Sequence, residues 1–291
     1  MKANKTSRTA QYMALFRALE SQRDSNDRLF YDPYAIHFLD LKLRLAVRLS
    51  KNKRVRKYIS TTIQNKIPGA FSSGLARTKY IDDLLQSSLS EGITQVIILG
   101  AGFDTRALRL DFLKSASVIE IDHPNTSNFK IDIFKKRIGK PPENITYCQI
   151  DFNKQSLDEL AVQYHFDFTK PTTLIWEGVT NYLTAAAISK TFTFISRFPK
   201  GSVIIFTYVH QEILTDPSSF LGGEKLLKDL EKLEEHWTFG FLPSELPDYL
   251  KQFNLTLLED LGAKEYRKKY LPNRNEKGYE FYRVAMAKKD Y

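Results

Sequence analysis

The sequence predicts an α/β protein built on a doubly wound, mostly parallel sheet of seven strands. Short, continuous apolar runs rich in β-branched residues recur after residue 94, and segments of helical periodicity separate them. Strands and helices that alternate in this way form parallel sheets, because each helix covers a face of the sheet while the chain returns. The composition suits such a core, since 42% of the 291 residues are hydrophobic.

The first 90 residues precede the predicted sheet and have apolar positions at helical spacing, as in RTAQYMALFRALE, DPYAIHFL and ARTKYIDDLLQSSL. We therefore expect residues 1–90 to form a helical N-terminal region. No repeat, Gly/Ser-rich linker or low-complexity tract marks a boundary after it. The simplest prediction is one domain over residues 1–291.

Five buried strands are predicted in the middle of the chain, each a short apolar run. Their segments are TQVIILG, SASVIEID, ITYCQID, TTLIWEG and GSVIIFTYV. Two later runs, NLTLLEDLG and YEFYRVAMAKK, are expected to pair in antiparallel fashion at one edge of the sheet. These seven segments make up the predicted sheet.

The segments between the central strands have helical patterns. They are NTSNFKIDIFKKRIG, SLDELAVQYHF and AAAISKTFTFISRF. Ser156 and Glu159 have the spacing of a capping box, which places a helix start directly after the third strand.

Residues 210–241 are a long polar segment that follows the fifth strand. They include the helical-looking EKLLKDLEKLEEHW, and the helical pattern SELPDYLKQF comes after them. Insertions of this length often cover a binding site. We therefore expect residues 210–241 to form a lid.

Cys148 is the only cysteine of the sequence, which excludes an intrachain disulfide and a thiolate metal cluster within one chain. This favours a reducing, intracellular setting, and no metal site is predicted. The N-terminal residues lack the apolar run of a secretory signal, and no later stretch is long enough for a membrane span. We expect a cytoplasmic protein.

Residues 42–58, KLRLAVRLSKNKRVRKY, contain eight basic residues and no acid. Together with the formal net charge of +9, they would suit an acidic partner, a membrane surface or nucleic acid. A solvated helix face is the simplest interpretation and is favoured over a site for an anionic partner. A membrane-surface helix is the least favoured, and no nucleic-acid partner is expected.

A glycine-rich turn, LGAGFDTR, follows the first predicted strand. Gly100 and Gly102 let the backbone turn tightly and approach a ligand, although the same pattern also occurs in structural turns and in dinucleotide, nucleoside and flavin sites. Asp122 ends the next strand, 22 residues after Gly100. Ligands of doubly wound sheets bind at the carboxyl ends of the strands, so we assign Asp122 to ribose hydroxyls rather than to a solvated loop.

Asp151 follows the third strand, where its carboxylate could accept from an adenine amino group, and Phe152 could offer a flat apolar surface or serve as a core aromatic. The third glycine of a dinucleotide fingerprint is missing after Gly102. Asp104 stands where a pyrophosphate would need a positive helix end. S-adenosylmethionine has no phosphate and a cationic sulfonium, so this charge pattern favours a methyl donor over NAD.

Several segments resemble, in order, the motifs of the leucine carboxyl methyltransferase-like family of S-adenosylmethionine-dependent enzymes. They are RTKYIDDLL, QVIILGAGFDTRALRL, VIEIDHP, IDF and WEGVTNYL. The resemblance extends from ESQRDSNDRLFYDPYA to HWTFGFLPSELPDYL and covers most of the chain. It implies a sheet of the class I methyltransferase type and S-adenosyl-L-methionine as cofactor.

The resemblance also implies a role for each matching residue. Arg77 would bind the methionine carboxylate, and Glu177 would lie near the methionine ammonium or the sulfonium. The remaining positions are Gly100 and Gly102 at the cofactor backbone, Asp122 at the ribose, and Asp151 and Phe152 at the adenine. From the residues alone, Arg77 could be a surface helix residue and Glu177 a structural ion-pair partner.

Methyl transfer is an in-line displacement that can rest on positioning and desolvation. A carboxylate acceptor is already ionised and needs no base, whereas a hydroxyl or an amine would need one. None of His123, His210 and His236 has a recognisable partner, so no catalytic residue is assigned. Tyr182 could line the acceptor pocket or belong to the core, and the acceptor could be a small molecule or a protein.

Two other classes of function remain open from the residues. An NAD-dependent oxidoreductase shares the strand, the glycine turn and the acid, but it should have the missing third glycine. A non-catalytic protein could bind an anionic partner through its basic segment, with strong salt dependence.

Overall fold

The computed structural model of the protein describes residues 8–151, 155–233 and 235–290. Its helices are α1 (Arg8–Glu20), α2 (Leu41–Leu49), α3 (Lys53–Lys66), α4 (Ala70–Ser90), α5 (Arg106–Arg109), α6 (Pro124–Arg137), α7 (Leu157–Gln163), α8 (Ala185–Ile195), α9 (Glu212–Thr215), α10 (Gly223–Lys232), α11 (Leu246–Lys251) and α12 (Ala263–Tyr270). Its strands are β1 (Gln95–Leu99), β2 (Ser117–Asp122), β3 (Ile145–Gln149), β4 (Thr172–Trp176), β5 (Val203–Val209), β6 (Leu255–Gly262) and β7 (Tyr282–Lys289).

The seven strands form one sheet in the order β3-β2-β1-β4-β5-β7-β6. Neighbouring strands from β3 to β5 are parallel, whereas β7 runs antiparallel to both β5 and β6. The order reverses beside β1, which pairs with β2 on one side and β4 on the other. The prediction of a doubly wound, mostly parallel sheet with an antiparallel edge pair is confirmed, and the reversal opens a crevice at the carboxyl ends of β1 and β4.

The sheet is buried on both faces, which explains the unbroken apolar strands. Ile97 belongs to a core cluster with Phe192 of α8, while the next residue, Ile98, belongs to a cluster with Tyr80 of α4. Successive side chains of a strand point to opposite faces, so a strand covered by helices on both sides is apolar at every position.

The N-terminal helices pack over the carboxyl end of β1. The ring centroids of Phe16 in α1 and Phe71 in α4 lie 5.1 Å apart, and Phe38 stacks on Phe103 at the same distance. Arg17 of α1 also donates to the backbone oxygen of Phe103 at 2.5 Å. The loop that carries the glycine turn is therefore held against α1.

Most predicted helices are present, and Ser156 and Glu159 form the expected capping box. The DPYAIHFL segment differs, because Ala35–Phe38 is a single 3-10 turn. The helical pattern EKLLKDLEKLEEHW ends early at Lys232, and Glu235 to Trp237 are not helical.

Helix α12 was not predicted, because its segment AKEYRKKY is dominated by charge. Tyr266 is nevertheless fully buried, and its hydroxyl lies 2.7 Å from that of Ser73 in α4. Packing against α4 therefore stabilises a helix that the local sequence does not predict. Among the described residues, no helix combines the length and apolar character needed to cross a bilayer.

Candidate functional site

A cavity of about 600 Å³ opens at the carboxyl ends of β1, β2 and β4. Helix α1 borders it on one side, and residues 235–238 of the segment after α10 border it on another. Five residues predicted from the sequence line it together: Arg77, Gly100, Gly102, Asp122 and Glu177. The crevice of the sheet is thus the place where the predicted site assembles.

The glycine turn forms the floor of this cavity. Gly100 has φ +67°, and a Cβ there would lie 2.5 Å from Cγ2 of Val179. Its N–H donates to the backbone oxygen of Ile121 at 2.8 Å, which ties the turn to β2. Gly100 is therefore required both by backbone conformation and by the close approach of Val179.

Asp122 is the last residue of β2 and points to the glycine turn. Its carboxylate accepts from the backbone N–H of Gly102 and, at 2.6 Å, from the N–H of His123. Burial raises the pKa of Asp122 above its ordinary value, and these two N–H groups offset only part of this rise. A carboxylate has about four acceptor positions, so two hydrogen bonds leave room for ligand hydroxyls.

Arg77 and Glu177 form a buried ion pair in the cavity wall. Nε of Arg77 donates to Oε1 of Glu177 at 2.9 Å, and the guanidinium stacks 4.5 Å above the ring of Tyr282. Nη1 of Arg106 donates to the other carboxylate oxygen at 2.8 Å. The surface interpretation of Arg77 is wrong, since its side chain is 5% exposed, and Glu177 is an ion-pair partner in this structure.

Two neighbouring arginines keep the Glu177 carboxyl ionised. Burial by itself would raise the pKa of this carboxyl, but the positive charges of Arg106 and Arg77 outweigh burial and lower the pKa. The side chain is therefore a carboxylate near neutral pH, and it faces the cavity.

An arginine network stands behind this pair. Nε of Arg106 donates to Asp82 at 2.8 Å, and Nη1 of Arg109 donates to the same carboxylate at 2.7 Å. Asp104 accepts from the backbone N–H of Arg106, the first residue of α5, at 2.7 Å. The Asp104 carboxylate thus occupies the N-terminal end of α5, where an NAD enzyme would bind the pyrophosphate. This agrees with the prediction that the charge pattern favours a methyl donor over NAD.

Polar side chains from three parts of the chain meet at the mouth of the cavity. The Glu235 carboxylate accepts from Oγ1 of Thr9 at 2.5 Å and from the hydroxyl of Tyr182 at 3.1 Å. Burial raises the pKa of Tyr182, so its hydroxyl is protonated near neutral pH. These contacts connect α1, the segment after β4 and the predicted lid.

Asn181 lines the same cavity and is 1% exposed. Its side-chain oxygen is buried and has no hydrogen-bond partner within the described part of the chain. An unpaired buried acceptor is costly, so this oxygen is suited to a ligand that donates a hydrogen bond.

Only one of the two predicted adenine residues lies within the described part of the chain. Asp151 lies two residues beyond the end of β3 and is not among the residues that line the cavity, and Phe152 lies outside the described residues. Their roles stay predictions.

Of the three histidines considered, His123 accepts from the N–H of Asn125 at 3.2 Å, and His123 and His236 border the cavity. Among the described residues, no group of three or more His, Cys, Asp and Glu side chains is arranged to hold a metal ion.

Several cavity residues were missed from the sequence. Thr9 and Met13 of α1, Arg106 and Trp237 line the cavity without any local motif that separates them from core or surface positions. Only Arg106 had a signal, because it ends the FDTR motif directly after the glycine turn.

The model of the leucine carboxyl methyltransferase family matches residues 10–196. The chain belongs to the leucine carboxyl methyltransferase family. This confirms the family predicted from the sequence, and the matched region holds the glycine turn and the Arg77–Glu177 pair.

Related proteins of the family agree with this assignment. The chain is 32% identical over 185 residues to a candidate S-adenosyl-L-methionine-dependent methyltransferase of Mycolicibacterium paratuberculosis, a match of 64% of this chain and 60% of the relative. It is 26% identical to the similarly named YktD of Bacillus subtilis, with 95% of each chain covered. Use of S-adenosyl-L-methionine is therefore a property of the family. The first match spans only 60% of the length of its relative.

Solved structures of low sequence identity share the fold. A candidate methyltransferase from Thermobifida fusca superimposes with a TM-score of 0.59 at 17% identity, covering 95% of this chain and 94% of the other. A DUF574 family protein from Streptomyces avermitilis gives a TM-score of 0.61 at 13% identity, with 98% of each chain covered. The class I methyltransferase architecture predicted for this chain is thus confirmed.

Proposed function

We propose that this protein binds S-adenosyl-L-methionine in the main cavity and transfers its methyl group to an oxygen of a carboxylate or hydroxyl acceptor. The observation that carries the proposal is the meeting of Arg77, Glu177, Asp122 and the glycine turn around one cavity of about 600 Å³. These groups supply a cation, two anions and an open backbone, which complement the two charged ends and the ribose of the cofactor.

Arg77 would hold the methionine carboxylate. Its Nη2 donates to the thioether sulfur of Met13 at 3.3 Å, and a thioether is a weak acceptor. A carboxylate would replace this contact with a charge-assisted hydrogen bond, which is stronger. Arg77 therefore has a reason to bind an anion even though Glu177 already pairs with its Nε.

Glu177 and Asn181 would receive the cationic part of the cofactor. The Glu177 carboxylate faces the cavity, and the unpaired side-chain oxygen of Asn181 can accept a hydrogen bond from an ammonium group. Asp122 would accept from the ribose hydroxyls, and Asp151 with Phe152 would hold the adenine. The bound cofactor supplies an activated methyl group on a sulfonium.

The acceptor side of the cavity is mostly aromatic. Its wall includes Tyr182, Trp237, Tyr279 and Tyr282. Glu235 contributes an acidic side chain to the same wall. A water-poor wall of this kind raises the reactivity of an oxygen nucleophile by removing its hydration shell. A carboxylate acceptor needs no base, whereas Glu235 could accept the hydrogen bond of a hydroxyl acceptor. The acceptor is a small molecule or a protein side chain or terminus of this chemistry.

Residues 210–241 would act as a lid within one domain that spans residues 1–291. Glu235 joins this segment to Thr9 and Tyr182, so its displacement would open the mouth of the cavity. We also propose the cytoplasm as the location, because a chain with the single cysteine Cys148 forms no intrachain disulfide, which is typical of proteins in a reducing compartment.

The deciding experiment is calorimetric titration of the protein with S-adenosyl-L-methionine, S-adenosylhomocysteine and NAD. Saturable binding of the two adenosyl ligands with no heat from NAD is the expected result. Binding of NAD alone would support the oxidoreductase alternative instead. No binding of any of the three would favour a non-catalytic protein that binds an anionic partner.

A further inference from the structure

Helix α2 exposes a row of three leucines to solvent. Leu41, Leu45 and Leu49 are 75%, 56% and 55% exposed. They are four residues apart and so lie on one side of the helix, within an arc of about 80° at 100° per residue. The opposite side holds Val47, which is fully buried in the N-terminal core cluster. Among the described residues, the leucines therefore contribute little to packing.

Basic side chains border this row on both sides. At the same angular spacing, the exposed Arg48 and the half-buried Arg44 lie along one edge of the leucine arc, and the exposed Lys42 lies along the other. Helix α3 continues the basic surface with Lys53, Arg54 and Lys57, all of which are exposed.

The acids near this surface come from other segments of the chain, such as Glu20 and Glu276, which line a groove together with Lys53 and Lys57 of α3. Residues 41–58 contain no acid. Asp40 caps α2 by accepting from the N–H of Leu43 at 2.9 Å, and Asp24 lies 3.6 Å from Lys53. The positive charge of α2 and α3 is thus largely uncompensated.

We propose that α2 and α3 dock this protein on an anionic lipid surface, with the leucines of α2 inserted at the interface and the flanking cations on headgroup phosphates. A helix that lies in the membrane plane needs an apolar stripe bordered by Lys and Arg, which is the arrangement that α2 presents. Each cation near such a surface adds to the attraction. This inference goes beyond the proposed function and does not depend on it.

A second copy of the chain suits this surface poorly. A symmetric dimer places the same patch of both subunits in contact, so the basic rows of two α2–α3 units would face each other. Like charges brought together at an interface repel. Charge complementarity therefore selects a negatively charged occupant, and the row of leucines selects one that also accepts apolar groups.

The test is co-sedimentation of the full chain with vesicles of phosphatidylglycerol and phosphatidylcholine, compared with vesicles of phosphatidylcholine alone. We expect binding to the mixed vesicles only. A leucine variant, L41S/L45S/L49S, and a charge variant of exposed cations, K42Q/R48Q/R54Q, should each reduce the bound fraction at limiting lipid about tenfold or more.

Matched controls remove similar groups elsewhere on the surface. V162S/L221S/L258S replaces three exposed apolar residues, and K190Q/K200Q/K264Q removes three exposed cations. These variants should bind as the wild type does. Circular dichroism and melting temperature check that each variant is folded, and the charge variant tests the proposal independently if the leucine variant is not.

Three results would overturn the proposal. The first is failure of the wild type to sediment with the mixed vesicles at low salt. The second is binding that all variants share, which would reflect only the net charge of the chain. The third is a dimer, detected by light scattering, that L41S/L45S/L49S converts to a monomer while vesicle binding is absent.

Discussion

Arg77 and Glu177 are 100 residues apart in the chain, yet Nε of one donates to Oε1 of the other at 2.9 Å inside the cavity wall. Arg77 comes from the middle of α4, and Glu177 directly follows β4. Loss of Arg77 would leave Glu177 paired with Arg106 alone, and breaking a buried ion pair costs up to about 3 to 5 kcal/mol of stability. Any test of these residues must therefore separate ligand binding from folding.

Arg77→Gln should weaken S-adenosyl-L-methionine far more than adenosine, because only the former has a carboxylate. The loss of a charge-assisted hydrogen bond is about 1.5 to 3 kcal/mol. We expect roughly a 10- to 150-fold rise in Kd for S-adenosyl-L-methionine, measured by calorimetry at a temperature where the variant is folded. Partial unfolding would weaken both ligands alike, so equal losses would contradict the assigned role.

Asp122→Ala should weaken S-adenosylhomocysteine by removing the acceptor for the ribose hydroxyls. The expected loss is on the order of 1.5 to 3 kcal/mol. Asp132→Ala is the matched control, since it removes an exposed acid from the following helix, α6. Calorimetric Kd values that are equal for the wild type and Asp122→Ala would remove the ribose assignment.

Gly100→Ala should destabilise the protein and abolish cofactor binding. The left-handed backbone costs roughly 1 to 3 kcal/mol for a residue with a Cβ, and the new methyl would lie 2.5 Å from Cγ2 of Val179. Gly92→Ala is the control, because Gly92 has φ +93° with open space around it. Thermal melting should show a smaller loss there, and the double variant Gly100→Ala/Val179→Ala should recover part of the stability. If Gly92→Ala and Gly100→Ala melt alike, the contact with Val179 is unimportant.

Protonation of Asp104 should lower the free energy of unfolding in strong acid. Burial raises its pKa, but the charges of Arg106 and Lys130, together with the hydrogen bond from the Arg106 N–H, outweigh burial and lower the pKa to about 2 from the ordinary 3.8. The unfolded chain therefore binds the proton first as pH falls. The stabilisation is fully present above about pH 4 and is lost towards pH 2, on the order of 2 kcal/mol. Urea unfolding of Asp104→Asn should show a flatter dependence over this range than the wild type, whereas the exposed Asp132→Asn should keep the wild-type slope.

Glu235→Ala should speed the exchange of S-adenosylhomocysteine, because the carboxylate links the predicted lid to Thr9 and Tyr182. Stopped-flow binding should show association and dissociation both several-fold faster, with a smaller change in Kd, as for a lid that gates access. Glu231→Ala removes an exposed acid of α10 and is expected to leave both rates unchanged. Unaltered rates in Glu235→Ala would mean that this segment does not gate the cavity.

The sequence alone determined the sheet and the part of the site that lies next to its strands. A continuous apolar run is a local signal for a buried strand. Gly100 and Gly102 come just after the first such run, and Asp122 ends the second. Because the carboxyl ends of parallel strands meet at one edge, position along the chain was enough to place these residues together.

Only the tertiary structure decided which distant side chains complete the cavity. Thr9 and Glu235 are 226 residues apart, and no local pattern indicates that they share a hydrogen bond. The same holds for the surface of α2, where periodicity places Leu45 and Val47 on opposite sides of the helix but does not show which side is buried. Packing against the N-terminal core buries Val47 and leaves Leu45 in solvent. Local propensity acts over one or two turns of chain, whereas burial depends on every element that packs nearby.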